Sequence, residues 1–222
     1  MLEIRDVTKR YYKGTQEFTA LDRVSLTIGR GDYLVINGPS GAGKSTLLYV
    51  AGSMIKPDSG EVRYDGKNIY DMNLRSQNEY RKKHIGFVFQ QFHLMPFLTV
   101  EENIRMACFK ESQCTQIDKL LEKCSLTPLR YKYPSELSVG EKQRTAFLRA
   151  IITDPEMLLA DEPTGNLDPA NSDILMSLMN DFNKKGGTIL LVSHNPEASK
   201  YAQKQIGLID GKIVISHELH GV

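Results

Sequence analysis

The sequence has little that would tie it to an oxidising compartment, a charged polymer or the interior of a bilayer. Its three cysteines, Cys108, Cys114 and Cys124, are odd in number and form no CxxC pair. That argues against a disulfide framework or a zinc site and fits a reducing compartment. Neither sign of charge is in excess: 28 Lys and Arg stand against 27 Asp and Glu, a formal net charge of +1. Nothing therefore draws the chain as a whole to nucleic acid or anionic lipid, and any phosphate site has to be local. No apolar run reaches the roughly 18 residues of a membrane span, and the N-terminal MLEIRDVTKR carries charges where a signal peptide has its apolar core. Work at a membrane would go through a partner. Internal repeats, low-complexity segments and flexible linkers are missing too, so 222 residues read as one substantial globular domain.

What is present is an alternation of strand and helix signals. LEIRDVTKRY and ALDRVSLTI alternate as antiparallel strands do. YLVING is a short apolar run ending in a Gly-rich turn, and similar runs at Ile85 to Phe89, Met157 to Ala160 and Thr188 to Ser193 read as buried parallel strands. Between them, Ser172 to Lys184 places Ile174, Leu175, Leu178 and Met179 on one helical face. The expected fold is an α/β core with a mostly parallel sheet, an N-terminal antiparallel β subdomain and an inserted helical subdomain. Residues 1–91 and 155–222 would form the core with its antiparallel part, and 92–154 the helical part. The terminal SHELHGV reads as a loose end.

The sharpest motif is GPSGAGKST, Gly38 to Thr46. It fits G-x-x-x-x-G-K-[ST] and lies between the apolar strand Tyr33 to Ile36 and the helical run Leu47, Leu48, Val50, Ala51. Gly38, Ser40, Gly41, Ala42 and Gly43 can wrap their N–H groups around a polyphosphate at a helix N-terminus. Lys44 would reach the β- and γ-phosphates, and Ser45 would bind magnesium, beside Thr46. A second site is MLLADEPTGNLD, where an apolar strand delivers Asp161 and Glu162 to its end. An Asp-Glu pair alone is usually a solvated turn. Downstream of a phosphate loop, Asp161 is a metal ligand and Glu162 a group that polarises water. TILLVSHN and IGFVFQQF bring His194 and Gln90 to further strand ends. A histidine so placed is more often structural than catalytic.

PSELSVGEKQR, Pro134 to Arg144, is a helix start with no nucleophile, metal ligand or acid/base pair. Taken with the other motifs and their order, it makes the chain resemble, over almost its whole length, the nucleotide-binding subunit of an ATP-binding cassette (ABC) transporter. IGFVFQQFHLMPFLTVEENI and ADEPTGNLD are similar to the lipoprotein-releasing, macrolide-exporting and cell-division members. The resemblance implies an ATPase that uses ATP and Mg2+. Tyr11 would stack on adenine, with Tyr12 beside it as an alternative. Gly38, Ser40 and Gly41 to Thr46 would hold the nucleotide; Ser45, Gln90 and Asp161 the metal; Glu162, His194 and Gln90 would act in catalysis. Ser138, Val139, Gly140 and Glu141 would cover the ATP of a second copy in a head-to-tail dimer, and Asp168 would lie across that interface.

The family's signature is usually Leu-Ser-Gly-Gly-Gln, so Val139 and Glu141 depart from it. Val139 is expected to stiffen a loop, and Glu141 to turn from the phosphate toward Lys142 or Arg144. An alternative is a capped helix, with Ser138 as N-cap and Glu141 three residues on. Phe92, Leu94, Met95, Phe97 and Leu98 either pack the helical subdomain or line a groove for a membrane partner. The implied role is a motor at the cytoplasmic face of a membrane, driving a separate integral membrane subunit. A non-transport ATPase signalling through such a partner is the alternative, and no nucleic acid partner is expected.

Overall fold

The computed structural model describes residues 1–194 and 196–218. The chain opens with a hairpin of β1 (Leu2–Lys13) and β2 (Gln16–Ile28), followed by β3 (Tyr33–Asn37) and α1 (Lys44–Ala51). Next come β4 (Ser59–Tyr64), β5 (Lys67–Asn68), α2 (Leu74–His84) and β6 (Ile85–Val88). Four helices follow, α3 (Val100–Arg105), α4 (Glu111–Cys114), α5 (Ile117–Lys123) and α6 (Val139–Ile151). The chain then returns through β7 (Met157–Asp161), α7 (Pro169–Lys184), β8 (Thr188–Ser193), β9 (Lys204–Ile209) and β10 (Lys212–Glu218).

Two sheets result. One is antiparallel, in the order β2-β1-β4-β5; the other runs β10-β9-β3-β8-β7-β6, with only β10 antiparallel to its neighbour. The mixed α/β architecture expected from the pattern is therefore present. β7 and β8 are buried along their whole length, which is why their sequences run apolar instead of alternating. Alternation survives as a division between faces. Leu34 and Ile36 of β3 join Leu47 and Leu48 of α1 and the inner residues of the antiparallel sheet, such as Ile4 and Leu26. Tyr33 and Val35 join Leu175 and Met179 of α7 and the buried side of the helical segment, including Ile104, Leu121 and Phe147. Each fully buried Leu or Ile contributes roughly 1.5–3 kcal/mol, so both faces are held firmly.

Three differences from the pattern are physical. α7 starts at Pro169, earlier than the apolar stripe shows, because Asp168 caps it and proline suits the first helical turn. β6 stops at Val88. The supposed loose end is partly a strand: β10 pairs with β9 as far as Glu218 opposite Lys204, and residues 219–222 lie outside the described part.

Candidate functional site

After β3 the backbone must turn sharply to enter α1, and two glycines make that possible. A Cβ on Gly38 would stand 2.1 Å from the carbonyl oxygen of Leu208. One on Gly43 would stand 2.1 Å from that of Ala20, and Gly43 has φ +99° as it starts α1. No other residue type fits either place. Ser40, Gly41 and Gly43 of the loop and the first residues of α1 line one cavity, an arrangement suited to anions. Lys44 is 7% exposed, and its Nζ donates to the carbonyl oxygens of Gly38 at 2.8 Å and Pro39 at 2.9 Å. These bonds curl the side chain back along the loop.

Sheet order then brings in residues far away in sequence. β7 lies beside β8, and β8 beside β3, so Asp161 at the end of β7 meets α1. Asp161 is 5% exposed. Ser45 Oγ donates to its Oδ1 at 2.8 Å, and Tyr49 donates its hydroxyl to Oδ2 at 2.7 Å. Burial, and then the bond to Asp161, pushes the Tyr49 phenol well above its ordinary range. Sequence reasoning missed Tyr49. Its signal was spacing, for Ser45 and Tyr49 are four apart on α1 and share a face.

Glu162 leaves the strand in a left-handed conformation, φ +46°, while its N–H donates to Val192 at 2.9 Å. Its Oε2 lies 2.5 Å from His194 Nδ1 and its Oε1 3.8 Å from Lys44 Nζ. A carboxylate, an imidazole and an ammonium thus meet at one wall of the cavity.

That cavity has a volume of about 550 Å³. Tyr11, Ser40, Gly41, Gly43, Lys44, Ser45, Thr46, Gln90, Glu162 and His194 line it. Gly38 and Ala42 belong to the loop behind the lining, and Asp161 lies beneath Ser45. Tyr12 is outside, 68% exposed, with its hydroxyl 3.1 Å from Glu17. Phe18, directly across the hairpin from Tyr11, also lines the cavity and was not anticipated.

Ser138, Val139, Gly140 and Glu141 are not part of this cavity. Ser138 is the N-cap of α6: its hydroxyl accepts from Glu141 N–H at 3.3 Å, and Glu141 Oε2 accepts from Ser138 N–H at 2.7 Å. Two expectations are corrected by this geometry. Val139 is the first residue of α6, not part of a loop, and Glu141 turns to Ser138, not to Lys142 or Arg144, which is the capped-helix alternative, because the helix start has free N–H donors. Asp168 is exposed and caps α7, accepting from Asn171 N–H at 3.0 Å.

Beyond the cavity, Phe92 and Leu94 line a surface hollow of about 510 Å³ with Gln90 and Gln91, and Phe97 is 71% exposed. A more apolar groove of about 540 Å³ lies alongside, with Met54, Phe87, Phe89, Met106 and Phe109.

The profile of the ABC transporter family matches residues 21–165. The chain belongs to this family. It is 41% identical to an ABC transporter ATP-binding protein of Methanocaldococcus jannaschii, MJ1508, over 96% of this chain and 98% of that one. It is 37% identical to the lipoprotein-releasing system ATP-binding protein LolD of Geobacter metallireducens over 96% and 98%. It is also 40% identical to the macrolide export ATP-binding/permease protein MacB of Chlorobaculum tepidum, of which it spans 34%. The ABC cassette MJ0796, solved as a dimer, superposes with a TM-score of 0.93 at 34% identity, each chain covered completely. The same cassette bound to ADP and Pi superposes at 0.92. As an ABC cassette the chain is an ATPase, and its nucleotide is ATP. No helix among the described residues is long and apolar enough to cross a membrane.

The donor set also has the chemistry of a magnesium site completed by other ligands. Among the described residues no group of three or more His, Cys, Asp or Glu could hold a metal alone. The ABC site offers a hydroxyl, a carboxylate and the Gln90 amide, hard oxygen donors that leave further positions for phosphate and water.

Proposed function

We propose that this chain is the ATP-hydrolysing motor subunit of a transporter, in which two copies close head to tail on two ATP molecules and drive a separate membrane subunit. The observation that carries the reading is the position of Ser138 and its exposed helix start, outside the chain's own cavity. An exposed, capped N-terminus that does not line its own cavity suits the nucleotide of a second copy. The dimer of the similar cassette MJ0796 supports this.

In that assembly Tyr11 stacks on the adenine, while the Gly38–Gly43 loop and Lys44 hold the phosphates. Ser45, Asp161 and Gln90 would hold magnesium, which neutralises phosphate charge when bound. Glu162 accepts the proton of a water whose oxygen attacks the γ-phosphorus, as the bond from that phosphorus to the ADP oxygen breaks. His194 orients Glu162 and meets the γ-phosphate. Ser138, Val139, Gly140 and Glu141 close over the partner's nucleotide, with Asp168 at the interface.

Residues 92–154 act as the arm that carries α6, and the neighbouring groove of Phe87, Phe89, Met106 and Phe109 receives a cytoplasmic segment of the membrane subunit. MacB, which carries ATP-binding and permease parts in one protein, supports such a pairing. The chain would then work at the cytoplasmic face of a membrane.

The direct test is Glu162→Gln. It should abolish turnover, retain ATP and elute as a dimer from a sizing column with ATP; a variant that stays monomeric overturns the sandwich.

A further inference from the structure

Asn171, in the first turn of α7, does not line the cavity, yet the cap of α7 and the start of α6 meet at its side chain. Its Nδ2 donates to Asp168 Oδ2 at 2.6 Å, in addition to the cap bond from its backbone N–H. Its Oδ1 accepts from Arg144 of α6 at 2.7 Å. The same oxygen lies so close to α6 that a Cβ on Gly140 would stand 2.2 Å from it and 2.4 Å from the amide carbon. Gly140 is buried, whereas Ser138 and Val139 on either side of the helix start are exposed. Arg144 Nε is buried without a hydrogen-bond partner among the described residues, and Asn171 holds the guanidinium through Nη1.

From this geometry we infer that Asn171 is a positioning residue that locks the Asp168 loop to the start of α6 within one subunit, and that Gly140 is glycine because Asn171 passes against it. The consequence for function rests on the proposed dimer. Asp168 and the start of α6 would both face the partner there, and the Asn171 amide ties one to the other. Within the nucleotide-free subunit glycine has no other advantage inside a helix, where alanine is the better former. The close approach supplies the reason for it. An amide suits the bridge because it donates on one side and accepts on the other. Asp168 needs a donor, Arg144 an acceptor.

Two measurements test this. The first uses the nucleotide-free chain and does not depend on dimerisation. Gly140→Ala should lower Tm by about 3–10 °C in the presence of Asn171, as overpacking does. In the Asn171→Gly background, which clears the approach, the same substitution should leave Tm unchanged or raise it. Equal effects in the two backgrounds would overturn the contact.

The second reads ATP-dependent dimerisation in the Glu162→Gln background at a temperature where all variants are folded. Asn171→Ala should weaken the dimer by about tenfold while monomer ATP affinity stays within about twofold. Asn171→Asp keeps the acceptor for Arg144 but sets a second carboxylate against Asp168, so it should fail to restore the dimer. Unchanged dimerisation with Asn171→Ala, or full recovery with Asn171→Asp, would overturn the positioning role. A Glu162→Gln chain that never dimerises removes the motor reading and the positioning role together, and the Tm cycle then still decides the contact itself.

Discussion

The hydroxyl of Tyr49 lies 2.7 Å from Oδ2 of Asp161, on the side of the carboxylate opposite Ser45. Both oxygens of an acid that is 5% exposed are thereby satisfied, which is what allows it to stay beneath the cavity. Losing one of two such donors to a buried carboxylate leaves an acceptor unpaired.

Tyr49→Phe removes that donor alone. The unpaired Oδ2 costs about 1–3 kcal/mol, which corresponds to a Tm several degrees lower, at about 2–4 °C per kcal/mol for a chain of this size. Because Asp161 also loses its orientation, half-maximal ATPase activity should require more Mg2+. Calorimetry and a Mg2+ titration check both; wild-type values in each would show that the bond does not matter.

Lys44→Ala takes away the cation that the loop carbonyls curl over the cavity. A charge-assisted bond to phosphate contributes roughly 1.5–3 kcal/mol, so ATP affinity should fall by about ten- to a hundredfold. Equilibrium binding by calorimetry reads this directly. Unchanged affinity would remove the loop from the nucleotide site.

Ser138→Ala deletes half of the capping box of α6. The expected cost is about 1 kcal/mol, a Tm fall of about 2–4 °C, with ATP binding by the monomer unaffected because Ser138 is outside the chain's own cavity. A variant that binds ATP poorly as a monomer would place the signature in its own subunit's site.

Acid should unfold the protein through two glutamates. Hydrogen bonds from Arg130 and Arg105 hold Glu101 down to about 2. Burial alone would raise Glu156, but Tyr64, Arg30 and His84 outweigh it and bring it down to about 2 as well. The unfolded value is about 4.3. A pKa depressed by folding gives stability that is fully present above the unfolded value and is lost as pH falls toward 2. Glu101→Gln and Glu156→Gln should therefore each be less stable than wild type at pH 7, and the gap should close between about pH 4.3 and 2. A constant gap in Tm across that range would refute the assignment.

The phosphate loop was legible because its chemistry is local. Gly38 to Thr46 carries glycines, a lysine and a hydroxyl in one run, between an apolar strand and a helix whose types follow from the same few residues. Asp161 and Glu162 were legible for the same reason, at the end of an apolar run. For Glu141 the sequence left two readings open, a turn toward Lys142 or Arg144 and a cap on Ser138, and the structure has the cap, because the N–H of Ser138 is the nearest donor in its own helix start. The uncapped N–H is a stronger partner than a flexible side chain in solvent.

The sequence by itself marked the main apolar strands, the glycine-rich turn and most of the side chains that line the cavity, because those properties depend on spacing along a few residues. Only the tertiary structure decided what those groups touch. It set Tyr49 and Ser45 on the two oxygens of Asp161, His194 on Glu162, Tyr11 rather than Tyr12 in the cavity, and Asn171 against Gly140. These pairs depend on the lateral order of parallel strands and on how α6 and α7 cross. Apolar runs of equal burial specify no order among themselves, since many arrangements bury the same surface, and the choice among them lies in packing between segments far apart in the chain.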